Sequence, residues 1–216
     1  MIIHNFDETN SVLNQFISEI RDHKIQKDPL RFRRNIERIG EILSYELSQE
    51  LDFQDQTVQT PLGEKEIPLV CDQLVLCSVL RAGLPLHQGI LNYFDRIENA
   101  FISAYRQHSS PEEFEIKVEY LAAPSLDHKI LILADPMLAT GSSLTAVYEV
   151  LKKTGDIKQV HLVSVVAAAA GIENVAKHFP ENTHLWVATV DQDLNSKGYI
   201  VPGLGDAGDL SYGHKL

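Results

Sequence analysis

The chain has 216 residues, 44% of them hydrophobic, with a formal charge of −11 from 19 Lys and Arg against 30 Asp and Glu. That length and apolar content can bury a substantial core within one compact unit. The acidity argues against nucleic acid or an anionic membrane as the main partner, since both select a basic face.

In chain order, residues 1–10 lack the basic and apolar regions of a signal peptide, and no apolar run nears the ~20 residues that span a bilayer, so a cytoplasmic location is expected. Residues 1–30 carry no further signal. From 31 to 51, Phe32, Ile36, Ile39, Leu43, Leu47 and Leu51 recur every three or four positions. This spacing predicts a long amphipathic helix, its stripe facing the core or a seam between subunits, with Arg31, Arg33 and Arg34 on the solvated face. Residues 56–68, with P-L-G at 61–63, predict a hairpin outside the main sheet. Residues 74–79 read as a buried strand, followed by the turn L-R-A-G-L-P at 80–85. Cys71 and Cys77 flank that run at the spacing of one strand face, and without CxxC or Cys/His metal spacing both are expected to be buried thiols. The nine histidines include no H-x-x-x-H pair and are assigned structural or surface roles.

Residues 100–105 predict another strand, ending at Tyr105-Arg106, and the polar stretch 107–115, with Pro111 and three glutamates, reads as a mobile arm. Next comes K-I-L-I-L-A-D-P-M-L-A-T-G-S-S at 129–143. Its five apolar residues, 130–134, suit a strand buried on both faces, and Asp135 ends it with a carboxylate. Thr140, Gly141, Ser142 and Ser143 then open a segment in which Leu144, Val147, Val150 and Leu151 recur at helical spacing up to Gly155. A helix N-terminus offers free N–H groups and partial positive charge to a phosphate. The hydroxyls add donors, and Asp135 is placed for a ribose hydroxyl or a metal-bound water. An ordinary βα turn capped by Ser or Thr has the same spacing, so both readings stay open on these residues. Strands at 159–166 and 184–190 with a helix at 171–179 complete an alternation that implies a right-handed parallel sheet, its ligand beyond the carboxyl ends of the strands. Finally, G-Y-I-V-P-G-L-G-D-A-G-D at 198–209 holds four glycines and a proline, which predicts irregular backbone, either a loose tail or a segment held close to a ligand.

Five of these strings carry a resemblance. The 129–143 segment resembles the 5-phosphoribosyl-1-diphosphate (PRPP) loop of type I phosphoribosyltransferases, and its D-P-M-L-A-T-G form is similar to that of the uracil phosphoribosyltransferases, where a proline stands in place of a second acidic residue. L-R-A-G-L at 80–84 resembles the pyrophosphate loop, Y-R at 105–106 a second arginine site, and residues 198–209 the uracil-binding signature. The F-R-x-x-x-x-x-I-G-x-x-L-x-Y-E pattern from Phe32 resembles the family's N-terminal helix.

The resemblance covers about 31–213 and implies one α/β phosphoribosyltransferase domain: a mainly parallel sheet flanked by helices, a hairpin and flexible arm, and a C-terminal base-binding loop. Residues 1–30 would be an extension. The implied reaction is uracil plus PRPP giving UMP and pyrophosphate, in pyrimidine salvage. Arg81 and Arg106 would meet the diphosphate. Asp135, Pro136, Met137, Leu138, Ala139, Thr140, Gly141, Ser142 and Ser143 would hold the ribose and its phosphate. Tyr199, Ile200, Gly205, Asp206 and Ala207 would line the uracil, with Asp206 also facing PRPP; Arg81, Asp135 and Asp206 form the implied catalytic set. Backbone groups can match uracil's carbonyls and N–H, and cytosine would leave a backbone donor unpaired at a cost of about 1–3 kcal/mol. Mg2+ is the implied cofactor, held through PRPP oxygens and water rather than a protein cage. A homodimer or homotetramer is implied, and GTP activates some members. Ser142 stands where the family usually has the second glycine of T-G-G-S, and a Cβ there weakens the cradle if the residue needs positive φ. The rival readings are a transferase for another base and an RNA-binding regulator of the same fold, the latter disfavoured by the acidity.

Overall fold

The computed structural model describes residues 1–108 and 114–215, leaving out the side chains of residues 104–117. The chain forms β1 (Ile2–Asn5), α1 (Leu13–Arg21), α2 (Pro29–Ser48), β2 (Phe53–Thr60), β3 (Gly63–Val70), β4 (Leu74–Leu80) and α3 (Leu84–Leu91). It continues through β5 (Glu98–His108), β6 (Phe114–Ala122), β7 (Ile130–Ala134), β8 (Met137–Leu138), α4 (Ser142–Leu151), β9 (Gln159–Ala168) and α5 (Ala169–His178). β10 (His184–Asp191), β11 (Asp193–Leu194), β12 (Ile200–Val201) and α6 (Ala207–Tyr212) close it.

Every residue of β7 is buried because helices cover both of its faces. Leu74, Leu76, Ile130, Ile132 and Ala134 share a core with Leu13 and Ile20 of α1, Phe32 to Leu47 of α2, and Leu86 and Ile90 of α3. The alternate residues Val75, Cys77, Leu131 and Leu133 pack with Leu144, Val147 and Leu151 of α4 and Val175 of α5. The period of two along each strand thus sorts the apolar run into two layers. The predicted helix over 31–51 is present as Pro29–Ser48, starting two residues earlier because Asp28 accepts hydrogen bonds from the Leu30 and Arg31 N–H groups and Pro29 occupies the first turn.

Among the described residues the sheet has eight strands, in the order β1-β10-β9-β7-β4-β5-β6 with β8 beside β9. All pairings are parallel except β5 with β6. β4 leads through α3 to β5 on one side, while its neighbour β7 leads through α4 to β9 on the other. The winding therefore reverses between β4 and β7, and in open α/β sheets the crevice at the carboxyl ends of such a pair is where ligands bind. The turn after Leu80 and the segment from Asp135 both leave the sheet there.

Several expectations need correction. Residues 1–30 are part of the sheet and core: β1 pairs in parallel with β10, and Leu13 and Ile20 are fully buried. A four-residue edge strand and a nine-residue helix are too short for periodicity to reveal. Cys71 is exposed, because it precedes β4 rather than lying in it, and only Cys77 is buried, its thiol pushed up to about 12 by burial. Arg33 is not simply solvated: its Nη1 donates to the Ser211 carbonyl at 2.6 Å and its guanidinium lies over the Tyr212 ring. Residues 198–209 are not wholly irregular, since β12 pairs antiparallel with β11 and α6 begins at Ala207. The predicted hairpin is present as β2 and β3, exposed along nearly its whole length and, among the described residues, paired only with itself.

Candidate active site

The 129–143 segment folds as strand, loop and helix. Asp135 hands over from β7: its N–H donates to the Val163 carbonyl at 3.1 Å, and its own carbonyl accepts the Ser164 hydroxyl at 2.6 Å. Pro136, with no N–H to satisfy, gives its carbonyl to the Val165 and Val166 amides at 3.1 and 3.0 Å. Met137 and Leu138 then rejoin the sheet beside Val166 and Ala167. The chain reaches Gly141, which sits at φ +76° as the residue capping α4. A Cβ at Gly141 would come within 2.9 Å of Val175 Cγ1 and 3.0 Å of the Gly171 carbonyl oxygen, so both conformation and space require glycine. α5 braces the loop from behind: Asn174 Nδ2 donates to the Thr140 carbonyl at 2.8 Å, and a Cβ on Gly171 would stand 2.2 Å from the Ala139 oxygen.

The first amides of α4 have no intrahelical partners, and Gly141 offers no side-chain cap. Thr140 Oγ1 donates to Ser142 Oγ at 3.1 Å and accepts weakly from the Ser142 amide at 3.4 Å. Positive φ falls on Gly141 and not on Ser142, because His128 is the one described non-glycine residue with positive φ. Ser142 is the first residue of the helix, where a Cβ is unstrained. Its departure from T-G-G-S therefore leaves the cradle's backbone intact.

Asp135 is 9% exposed, and its carboxyl is raised to about 7. Burial is the main cause; the negative charge of Asp206 adds to it, and the Met137 N–H on Oδ1 opposes it. The pyrophosphate-loop candidate lies across the crevice. Leu80–Arg81 is a cis peptide, and Gly83 is fixed by close approach, since a Cβ there would be 2.7 Å from the Val79 carbonyl oxygen. Arg81 Nη2 donates to Asp209 Oδ1 at 3.1 Å and to the Gly213 carbonyl at 2.9 Å. A Cβ on Gly208 would lie 3.2 Å from Asp206 Oδ1 and 3.9 Å from both Arg81 Nη2 and Ala82 Cβ. The 80–85 turn, the Asp135 cradle and the C-terminal segment therefore converge on one rim.

A model of the uracil phosphoribosyltransferase family matches residues 8–214. The chain belongs to the uracil phosphoribosyltransferase family. A uracil phosphoribosyltransferase from Porphyromonas gingivalis is 50% identical over 207 residues, with 96% of each chain covered, and one from Pyrococcus furiosus is 37% identical over 217 residues, covering 99% of this chain and 91% of that one. Among solved structures, a protein from Aquifex aeolicus superimposes with a TM-score of 0.88 at 28% identity over 100% of both chains. A hypoxanthine phosphoribosyltransferase from Staphylococcus aureus shares the fold, with a TM-score of 0.51 at 16% identity over 75% of this chain and 76% of that one.

In this uracil phosphoribosyltransferase fold the base-loop candidate is built around three turns. Gly203, at φ +57°, would put a Cβ 2.1 Å from the Ile200 oxygen. Gly205, at φ +96°, faces open space, since a Cβ there would meet nothing within 4 Å. Asp206 caps α6 by accepting the Asp209 N–H at 2.9 Å. Ile200 and Ala207 are buried, while Tyr199 is 42% exposed. Of the remaining candidates, Arg106 lies on the β5 backbone, and its side chain is outside the described residues. The arm expected at 107–115 falls partly outside them too; its described ends extend β5 and β6, with Gln107 opposite Glu115 and His108 opposite Phe114.

Sequence reasoning missed the residues that hold the base loop in place. Arg21 Nη1 donates to the Gly203 carbonyl at 3.1 Å, Asp191 Oδ2 accepts the Gly203 N–H at 2.9 Å, and Gln26 Nε2 donates to the Leu204 carbonyl at 3.2 Å. A lone Arg at the end of a short helix carries no motif, so only the fold reveals it. Two hollows lie elsewhere: one of about 670 Å³ beside His4 and Trp186, and one of about 580 Å³ between α3, Asn99 and Tyr212. Neither is lined by Arg81, Asp135 or Asp206. No described helix is long and apolar enough to cross a membrane.

Proposed function

We propose that this enzyme transfers the 5-phosphoribosyl group of PRPP to N1 of uracil, giving UMP and pyrophosphate, with the work divided among three rim segments. The reading rests on one observation above all: at the switch point between β4 and β7, a helix-N-terminal cradle, an arginine turn and a glycine-rich base loop meet in a member of this family. The α4 N-terminus, with the hydroxyls of Thr140, Ser142 and Ser143, takes the 5′-phosphate. Asp135 takes the ribose hydroxyls. Arg81 keeps Nη2 on the C-terminal segment and offers Nε and Nη1 to the diphosphate. Tyr199, Ile200, Gly205 and Ala207 receive uracil through backbone groups that match its carbonyls and N–H.

Chemically, the C1–diphosphate bond breaks ahead of attack by the base, so the sugar passes through an oxocarbenium-like state. Catalysis is then mainly positioning and stabilisation of opposite charges. Arg81 stabilises the leaving diphosphate, and the carboxylates of Asp206 and ionised Asp135 stabilise the cationic sugar. The uracil N1 proton leaves to water or to a substrate oxygen. Among the described residues no cluster of three or more His, Cys, Asp or Glu is placed to hold a metal. The interacting pair Asp135 and Asp206 fits a Mg2+ ion carried mostly by diphosphate oxygens and water. Bound there, the ion would neutralise charge on the diphosphate. A homo-oligomer of a single phosphoribosyltransferase domain completes the reading.

The test is pyrophosphate release from PRPP with uracil, cytosine, hypoxanthine and orotate offered in turn. Turnover with uracil alone is expected; a different base accepted with uracil inert would overturn the assignment.

A further inference from the structure

We propose that Arg21 and Asp191 act as a positioning pair for uracil: they clamp both polar groups of Gly203, so that the loop after Ile200 meets the base at a fixed height. The proposal rests on the reading that residues 198–209 bind uracil.

The clamp is closed on both sides. Arg21 Nη1 and Nη2 donate to Asp191 Oδ2 and Oδ1 at 2.8 and 3.0 Å, a two-point pairing that fixes the plane of each group. The same Nη1 and the same Oδ2 then take the Gly203 carbonyl and N–H at 3.1 and 2.9 Å. One residue is thereby held through both its backbone donor and its backbone acceptor by a single ion pair. The side chains of Arg21 and Asp191 are 20% and 10% exposed, so water competes weakly for these bonds. Arg21 Nη2 also donates to Thr189 Oγ1 at 3.2 Å, and that hydroxyl donates to Asp7 Oδ2 at 3.0 Å, which leaves the guanidinium little freedom to rotate.

The position of the clamp separates it from ordinary core packing. Arg21 is the last residue of α1 and Asp191 the last of β10, so the pair stands at the ends of two elements that are otherwise held by their own apolar contacts. Gly203 lies between Ile200 and Leu204, whose side chains are buried in the same core, but the strand before it pairs, among the described residues, only with the two residues of β11, and Gly203 has no side chain of its own to anchor it. The turn, at φ +57°, is so tight that a Cβ on Gly203 would stand 2.1 Å from the Ile200 oxygen, and a shift of that turn would move Gly205 and Ala207 together. A base read by backbone groups cannot correct such a shift by a side-chain rotation. Loss of the clamp therefore costs base affinity and base discrimination first.

The experiment is steady-state kinetics on Asp191→Asn, Arg21→Lys and Arg21→Ala, with direct titration of inorganic pyrophosphate as a check on the other half of the site. Asp191→Asn preserves shape and an acceptor for the Gly203 N–H. It is expected to raise KM for uracil roughly tenfold, the scale of one weakened charge-assisted hydrogen bond, with KM for PRPP and pyrophosphate affinity unchanged. Arg21→Ala should raise it further, with Arg21→Lys between the two, and cytosine should be rejected less strongly in the same order. Unchanged uracil KM in Asp191→Asn, or equal rises for uracil and PRPP, would overturn the proposal even if Arg21→Ala proves too unstable to assay. Gly205→Ala, in the same loop but outside the clamp, tests the premise separately: if it leaves uracil KM unchanged, the base-loop reading fails whatever the clamp does.

Discussion

The phosphate cradle and the base loop are both glycine-bearing turns on the same rim, yet they are held in opposite ways. The cradle is local: β7, Pro136, the αL conformation of Gly141 and the start of α4 follow within a dozen residues, with α5 as a backstop 30-odd positions further on. The base loop is held from afar, by Arg21 across 182 positions and by Asp191 across 12. A phosphate is recognised by charge and a bundle of N–H groups, which one turn can supply. A planar base is recognised by the relative heights of several donors and acceptors, which requires an external reference.

Substitutions should therefore separate the two regions. The largest effect is expected at Asp135. Asp135→Asn should lower kcat/KM by roughly 10³, as when a preorganised charge that stabilises a transition state is lost. The same variant tests the raised carboxyl. A folded-state value near 7 against the ordinary 3.8 means that the folded protein holds this proton longer than the unfolded chain does. The contribution is a stability present at low pH and lost as pH rises from 3.8 to about 7. In calorimetry of the ligand-free enzyme, Asp135→Asn should gain Tm relative to the unaltered protein across that window, whereas His161, lowered to about 3 by burial, acts in the opposite sense in both and cancels from the difference.

Gly141→Ala comes next, because it meets both a φ of +76° and atoms at 2.9 and 3.0 Å. A rise of about 30-fold in KM for PRPP is expected, with a far smaller change for uracil, consistent with strain of ~1–3 kcal/mol in the cradle. Gly205→Ala should give the reverse pattern, about a tenfold rise confined to uracil. Its φ of +96° is strained for alanine, but the space around it is open, so the fold should tolerate the change. Ser142→Gly should do least, within about threefold for PRPP, because Ser142 starts a helix at ordinary φ. A large gain in PRPP affinity from Ser142→Gly would show that the hydroxyl or Cβ obstructs the phosphate, and would make the cradle less self-sufficient than the comparison holds.

The contrast also explains what could be read from the amino acids. Ile130–Ala134, Leu74–Leu80 and the stripe of α2 were legible because a buried strand or helix must repeat its apolar positions at a fixed period. Pro136 and Gly141 were legible because each meets a need of its own backbone. β1 and α1 were not: Ile2 and Ile3 are about half exposed at a sheet edge, so their burial pattern carries no alternation. α6 was hidden by Gly208, which weakens helical propensity within a six-residue element that owes its start to the Asp206 cap. Arg33 looked like a surface charge and Arg21 carried no signal, because their acceptors, the carbonyls of Ser211 and Gly203, are about 180 positions away.

The pairing of β1 with β10 has a consequence for synthesis. Ile2–Asn5 leave the ribosome well ahead of their hydrogen-bonding partners, His184–Val187. A nascent chain can assemble the β4–β7–β9 centre of the sheet while its opening strand waits with no template. Sheet closure and completion of the base loop then fall to the same late moment, since Arg21 follows β1 by sixteen residues and Gly203 follows β10 by twelve. Long-range pairings of this kind slow folding, so ligand-binding competence should be acquired only after β10 and Gly203 have emerged.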